Sequence, residues 1–161
     1  MSIAFDLATA RDVDELVNLR LAYLTEDFGE LLANQRSSLA HELPTYLHEH
    51  IGEDLTIHVA REVFGPEEHT IVSCAWLLRV AKPPSPRFPH GRTGILFNVY
   101  TRKDRRHQGL ARGVMRNLLE KARAEHLDVV ELNATDDGYP LYLSLGFADD
   151  STTHKPMRMV L

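Results

Sequence analysis

The sequence has one cysteine, no excess of basic residues and no long apolar run, and each lack excludes a class of protein. Cys74 alone permits neither an intramolecular disulfide nor a cysteine-rich zinc cluster. The formal net charge of −5 disfavours a nucleic-acid binder, which would carry a basic excess or stripe. No apolar stretch approaches transmembrane length, and the opening MSIAFDLATARDVDEL lacks the basic and apolar regions of a secretory signal. We therefore expect a cytoplasmic protein with no membrane or nucleic-acid partner.

The alternation of apolar and polar residues predicts a mixed α/β fold. The chain of 161 residues is 43% hydrophobic, which suits one domain with a real core over residues 1–161. A first helix is predicted after Thr9, because the side chains of Thr9 and Asp12 suit a capping box. A second helix is predicted within the region 39–51, and Pro44 places its start near that residue. The elements follow the order β-α-α-β-β-β-α-β-α-β, which favours a sheet flanked by helices.

Seven further elements complete this prediction. Two strands are joined by a hairpin turn at GPEEH, and a proline-rich loop leads from the second of them to a buried strand that should pair with it. A helix, a strand, a short helix and a terminal strand follow, and their sequences lie within residues 105–126, DVVELNAT, DDGYPLYLSLG and KPMRMVL.

The stretch RRHQGLARGVM lies where a strand ends near Thr101 and a helix begins. The first turn of a helix leaves backbone N–H groups without partners and carries partial positive charge. Gly109 and Ala111 would let an anion such as a pyrophosphate approach these amides closely, and the nearby arginines would reinforce the positive field. An ordinary basic helix start fits the same residues. The Walker A pattern is absent, and the dinucleotide pattern lacks its third glycine.

Two motifs together resemble the GNAT acyltransferases, which bind acetyl-CoA. Residues 106–111, RHQGLA, resemble the family signature Arg/Gln-x-x-Gly-x-Gly/Ala, whose amides hold the CoA pyrophosphate. The later LNATDDGYPLYLSLGF resembles a family segment in which a strand carrying Asn precedes a helix ending Leu-Tyr-x-x-Leu-Gly-Phe. One helix and one strand separate the motifs, as in the family. The likeness is good over residues 95–147, whereas the first ninety residues match only in element order.

The resemblance implies a GNAT-like central, largely antiparallel twisted sheet of about six to seven strands flanked by helices. It implies direct acetyl transfer from acetyl-CoA, as cosubstrate, to an amine acceptor in a ternary complex. Backbone groups of Val99 and Thr101 would bind the pantetheine arm as an added strand would, and Asn133 would contact the same arm. The pyrophosphate would lie against the turn formed by Arg106, His107, Gln108, Gly109, Leu110 and Ala111.

Catalytic roles follow from the same resemblance. The backbone N–H of Tyr100 would stabilise the oxyanion, and the hydroxyl of Tyr142 would contact the CoA sulfur and donate its proton to the departing thiolate. Many relatives carry a carboxylate on the strand before the turn, and LFNVY has none. Glu131, which shares a strand face with Asn133, and His58 are the candidate bases. A non-catalytic acyl-CoA sensor or interaction module on the same fold is the alternative function.

The remaining features point to no other chemistry. HELPTYLHEH lacks the His-Glu-x-x-His spacing of a zinc protease, so no metal site is expected. Cys74 lies in an apolar strand, which is typical of a buried small hydrophobe rather than a nucleophile. The sequence does not identify the acceptor, and a homodimer is expected.

Overall fold

The computed structural model describes residues 1–66, 68–150 and 152–161. Five strands and four helices follow one another along the chain. They are β1 (Ser2–Leu7), α1 (Val13–Phe28), α2 (Ala33–His50), β2 (Leu55–Val63), β3 (His69–Ala81), β4 (Arg92–Thr101), α3 (Leu110–Ala124), β5 (Val129–Glu131) and α4 (Tyr139–Ser144). Short 3-10 turns precede α1 at Ala10–Asp12 and α3 at Lys103–Arg105.

The strands form one sheet in sequence order. The first four strands pair antiparallel, and β4 pairs with β5 in parallel. The parallel pair requires a crossover, which α3 supplies. The predicted mixed α/β class, with a largely antiparallel sheet flanked by helices, is therefore confirmed, as is the pairing of the strands on either side of the proline loop. The predicted hairpin turn at GPEEH includes Glu67, which lies outside the described residues.

Two predicted strands differ from the structure. Residues 155–161, KPMRMVL, form no strand, and their side chains are exposed, so the described sheet has five strands instead of six or seven. Pro156 has no N–H to donate, and the short β5 presents little backbone for a further strand to pair with. The predicted strand DVVELNAT shortens to three residues for a related reason: β4 diverges from it after Ile95.

The second helix is longer than predicted, because α2 begins at Ala33 and contains Pro44 in its interior. The side chain of Gln35 accepts a hydrogen bond from the backbone N–H of Leu32 at 3.0 Å, which caps the earlier start. Pro44 cannot donate to the carbonyl of Ala40. Ala40 is exposed, so water can satisfy that carbonyl and the helix continues.

The sheet separates two apolar cores. On one face α1 and α2 pack over residues such as Ile57, Val59 and Trp76, and on the other α3 and α4 pack over Val72 and Leu77. On the second face Gly113 lets α3 approach β1 closely, since a Cβ there would lie 2.5 Å from the Phe5 ring.

A buried ion pair joins β2 to the start of α1. The Arg61 guanidinium donates to both carboxylate oxygens of Asp12, at 2.7 and 3.0 Å, and to Asp6 at 2.8 Å. Asp12 also accepts from the backbone N–H of Thr9 at 2.7 Å, which confirms the predicted capping box. One carboxylate thus closes the capping box of the 3-10 turn before α1 and pairs a buried arginine, a pair whose separation would be strongly destabilising.

A neutral histidine lies under α3. His58 on β2 is 5% exposed, and its Nε2 has no hydrogen-bond partner among the described residues. Burial, reinforced by the Lys121 ammonium, lowers the pKa of His58 to about 4. An unfolded chain would bind a proton at this histidine near pH 6.5, whereas the folded chain would not. The stability that His58 supplies is therefore fully present above pH 6.5 and is lost as the pH falls towards 4.

We expect the His58→Leu variant to lose less stability on acidification than the parent. Between pH 7 and pH 5 the unfolding free energy of the parent should fall by about 1–2 kcal/mol more than that of His58→Leu. The reason is that the parent takes up a proton at position 58 on unfolding, whereas the leucine variant cannot. Urea denaturation at a series of pH values measures this difference. The same substitution at His41, which is exposed on α2, is the matched control. Parallel curves for the parent and His58→Leu would contradict the assignment.

Candidate active site

A gap opens in the sheet where β4 leaves β5. The two strands pair only at Thr93, Gly94 and Ile95 of β4, and Ile95 is opposite Glu131. From Leu96 to Thr101, β4 has no strand partner on its β5 side in the described part of the chain. Backbone N–H and C=O groups on this edge are therefore available to another extended molecule.

A β-bulge reshapes β4 at this gap. Trp76 of β3 is opposite Phe97 and Cys74 is opposite Tyr100, so Asn98 and Val99 together face the single residue between. Asn98 has a φ of 49°, a left-handed conformation that asparagine tolerates better than most residues. The bulge bends β4 and re-aims the backbone of the residues that follow it.

Asn98 is held by hydrogen bonds on both ends of its side-chain amide. Its Oδ1 accepts from the Arg20 guanidinium of α1 at 3.3 Å, and its Nδ2 donates to the Cys74 sulfur at 3.5 Å. Cys74 is fully buried, and burial raises its pKa to about 11. Cys74 is thus a thiol with a packing role, as predicted, and not a nucleophile.

The predicted phosphate turn has an open start. His107 and Gly109 have left-handed φ values of 61° and 76°, and Gly109 is the N-cap of α3. No side chain caps this helix, and no atom lies within 4 Å of where a Cβ on Gly109 would be. The free amides of the first turn of α3 therefore face open space, which fits a phosphate group. Leu110 is buried and can contribute only its backbone.

The arginines around this turn are mostly paired. Arg105 donates to Glu62, and Arg106 donates to Glu26 at 2.7 and 2.9 Å. Arg106 also donates through Nε to the carbonyl of Thr101 at 3.1 Å, so its side chain joins the turn to the end of β4. The prediction that these arginines reinforce the field at the turn was too simple, because nearby carboxylates offset both of their charges.

Arg112 and Arg116 lie on the surface of α3. With Arg123 they line a groove beside Ser144 and Leu145 at the end of α4. None of the three forms an ion pair with another described residue. Their charges therefore add positive potential along α3, on the side that faces α4.

Tyr142 lies in the α3-side core, where Val99 and Leu110 also pack. Its ring meets Phe147 edge to face at 5.8 Å, and it is 9% exposed. Burial raises the pKa of Tyr142 to about 12, with a smaller contribution from Tyr23 of α1. Its hydroxyl has no hydrogen-bond partner among the described residues. The structure therefore brings Tyr142, the bulged strand and the start of α3 into one cluster.

The other predicted site residues lie outside this cluster. The side chain of Tyr100 points into the opposite core and donates to Glu26 at 3.2 Å. Its backbone faces β3, where its carbonyl accepts from the Ser73 hydroxyl at 3.1 Å and its N–H is directed at Cys74, so it does not face the gap. Glu131 accepts from Lys82 at 3.0 Å, and Asn133 is exposed beyond the end of β5. His58 is buried beneath α3, against Lys121 and Glu125, and has no contact with the gap side of β4 among its described interactions.

Three residues near the gap were missed by sequence reasoning. Arg20 and Glu26 contact β4 or the phosphate turn from about 80 positions earlier in the chain, and Asn98 forms the bulge within β4 itself. A polar Asn within the apolar run ILFNVY was a signal that could have been used. Arg20 within the apolar stripe of α1 was another.

The described residues form neither a group of metal ligands nor a membrane-spanning helix. Within residues 1–66, 68–150 and 152–161, no three His, Cys, Asp or Glu side chains are grouped so as to hold a metal ion. None of the helices in the same part of the chain is long and apolar enough to cross a membrane.

Solved structures share this fold over nearly the whole chain. A "predicted acetyltransferase" of Clostridium acetobutylicum, crystallised with acetyl-CoA, is 23% identical with a TM-score of 0.78, and the match covers 97% of this chain and 96% of that one. A GCN5-related N-acetyltransferase of Ralstonia eutropha is 19% identical with a TM-score of 0.79 and coverages of 97% and 99%. A ribosomal-protein-alanine N-acetyltransferase of Brucella melitensis is 20% identical with a TM-score of 0.67 and coverages of 98% and 100%.

A family profile detects a relationship that comparison with single sequences does not. No curated protein matches the chain significantly in sequence. The profile of the Acetyltransferase (GNAT) family, however, matches residues 21–147, which include the bulge of β4, the phosphate turn and Tyr142. The resemblance predicted from the two motifs is thereby confirmed: the chain belongs to the GNAT acetyltransferase family.

Proposed function

We propose that the protein is an acetyl-CoA-dependent N-acetyltransferase that transfers the acetyl group directly to an amine in a ternary complex, with residues 1–161 as one acyltransferase domain. The observation that carries this proposal is the meeting of an unpaired strand edge with an uncapped helix start. The Arg106 side chain, bonded to the Thr101 carbonyl, joins the two. A molecule with an amide-rich arm and a pyrophosphate suits both features at once.

Binding would follow the two features in order. The pantetheine arm would lie along β4 and pair with backbone groups of Val99 and Thr101, while Asn133 approaches from beyond β5. The pyrophosphate would lie over Gly109, against the amides of Gln108, Leu110 and Ala111, next to His107. The left-handed φ of Gly109 supports this assignment, because it turns the first amides of α3 outward without a side chain above them.

Catalysis would need three groups. The oxyanion that forms on the acetyl carbonyl would need a backbone N–H on the open edge of β4. The N–H of Tyr100, expected from the sequence, faces β3, so the N–H of the neighbouring Val99 is our proposed donor in its place. The hydroxyl of Tyr142 would donate to the sulfur as the carbon–sulfur bond breaks. The acceptor must lose a proton, because an amine with a pKa of about 10.4 is neutral in only about one molecule in a few thousand at pH 7. Glu131 is our proposed base, and its contact with Lys82 fixes the position of its carboxylate.

The alternative is a non-catalytic sensor of acyl-CoA on the same fold. The engagement of Glu131 by Lys82 favours it, as does the lack of a carboxylate on β4. Acetyl-CoA binding without transfer to any member of a broad amine panel would support this alternative over catalysis.

Gly109→Asp should abolish the stabilisation of the protein by acetyl-CoA. The parent should gain thermal stability with acetyl-CoA by mass action, as measured by thermal unfolding. Gly109→Asn has nearly the same shape and tolerates the left-handed backbone, so it is the matched control for charge. We expect the dissociation constant of acetyl-CoA to rise at least about tenfold more for Asp than for Asn, since a carboxylate would repel the pyrophosphate. Equal losses for the two variants would place the pyrophosphate elsewhere.

Tyr142→Phe should lower kcat by about 10²-fold and leave the dissociation constant of acetyl-CoA within about twofold of the parent. The reason is that the hydroxyl would act on the sulfur only as the bond breaks, whereas the ring would keep its packing against Phe147. Steady-state turnover together with calorimetric binding of acetyl-CoA separates the two effects. Tyr139→Phe, on the exposed side of the same helix, is the control. Unchanged turnover in Tyr142→Phe would show that the Tyr142 hydroxyl does not act on the departing sulfur.

A further inference from the structure

Arg20 is a half-buried cation on the inner side of α1. Its guanidinium donates to Asn98 at the bulge of β4 and lies 5.7 Å from the ring centres of both Tyr23 and Trp76. Burial lowers the pKa of Arg20, although an arginine stays charged at any ordinary pH. The α1 side of the bulge in β4 therefore contains a permanent positive charge.

This cation differs from the other inward-facing arginines of the protein. Arg61 pairs with Asp6 and Asp12, Arg79 with Glu125, and Arg106 with Glu26. Arg20 forms no ion pair with any described residue, and Asp27 acts on it only across a longer distance. Its one hydrogen-bond acceptor is the neutral amide oxygen of Asn98. Among the described residues, the other three inward-facing arginines are each paired with a carboxylate, whereas Arg20 is not.

An unpaired charge out of water is unfavourable, so its position needs a compensating group. Aromatic faces on two sides offset part of the cost through cation–π attraction. The remaining N–H donors of the guanidinium form a planar fork that matches the oxygens of a carboxylate or a phosphate. An external anion would therefore gain more from Arg20 than from a solvated surface arginine, because water competes less here.

The location of Arg20 connects this charge to the reaction. Asn98, its hydrogen-bond partner, directly precedes Val99, the proposed oxyanion donor, on the same strand. Tyr23, which stacks near Arg20, also acts electrostatically on Tyr142 across the gap. An anion bound to Arg20 would thus be held beside the proposed reaction centre, on the α1 face of the sheet.

We propose that Arg20 binds an anionic group of the acceptor, so that the acceptor is a small amine that also carries a carboxylate or a phosphate. The inference rests on the proposed N-acetyltransferase function and narrows its substrate class. The guanidinium would orient the acceptor by its anion and leave the amine directed towards the gap between β4 and β5.

The test uses amines in matched pairs that differ only in the anion. Free α-amino acids are paired with their amides, and phosphoethanolamine and an amino-sugar phosphate are paired with their unphosphorylated forms. Release of free CoA from acetyl-CoA gives kcat and KM for each. The variants are Arg20→Gln, Arg20→Lys and the control Arg36→Gln, which makes the same change at an exposed position of α2.

We expect the parent and Arg36→Gln to prefer the anionic member of at least one pair by tenfold or more in kcat/KM. Arg20→Gln should bring that ratio close to one, mainly through KM, and Arg20→Lys should keep part of it, since the charge remains without the fork. Because Gln can still donate a hydrogen bond to the Asn98 oxygen, the bulge should persist in Arg20→Gln, and acetyl-CoA should raise its melting temperature as much as that of the parent. The pair with the larger ratio identifies the anion as carboxylate or phosphate.

Several results would overturn the inference. A ratio near one in the parent, a ratio retained in Arg20→Gln, or turnover of neutral amines alone would each do so. If acetyl-CoA raises the melting temperature and no anionic amine is acetylated, the acceptor class is wrong and the acetyl-CoA site stands. If acetyl-CoA neither binds nor reacts, the proposed function fails. In that case the melting-temperature shifts caused by the anionic and neutral amines, compared between the parent and Arg20→Gln, decide whether Arg20 binds anions.

Discussion

The site depends on how β4 pairs with its two neighbouring strands, because β4 forms hydrogen bonds with β3 along most of its length but with β5 only at its start. β4 follows β3 to Thr101 but leaves β5 after Ile95, and the bulge at Asn98 accompanies this divergence. A left-handed asparagine in the middle of a strand persists only when its surroundings hold it. Arg20 and Cys74 do so from the α1 side.

Helix α1 is the element that fixes this geometry from outside the sheet. It contacts β4 on both sides of the bulge, at Asn98 through Arg20 and at Tyr100 through Glu26. Glu26 also binds Arg106 in the phosphate turn. The two ends of α1 are held in turn by the Asp12–Arg61 pair and by packing in the first core. The two sides of the gap, which would receive the acceptor and CoA in the proposed reaction, are therefore parts of one packed unit.

Local features were predictable from the sequence, and long-range ones were not. The capping box of Thr9 and Asp12, the hairpin strands and the glycine at the start of α3 depend on neighbours within a few residues, and each was predicted. The contact of Glu26 with Arg106 joins positions 80 residues apart, and the departure of β4 from β5 depends on a bulge that no short pattern encodes. The prediction of a terminal strand was wrong for the same reason. The sequence KPMRMVL could form a strand only where the edge of another strand is available to pair with it.

The burial of Tyr142 has a consequence for how its proton behaves. A thiol with an ordinary pKa of about 8.5 is a much stronger acid than a phenol whose pKa is about 12, so complete transfer from Tyr142 to a thiolate would cost about 5 kcal/mol. In the proposed reaction the phenol would therefore keep its proton and stabilise the departing sulfur through a hydrogen bond. The leaving group would depart as an anion and take its proton from water. Tyr142 would then need no reprotonation between turnovers.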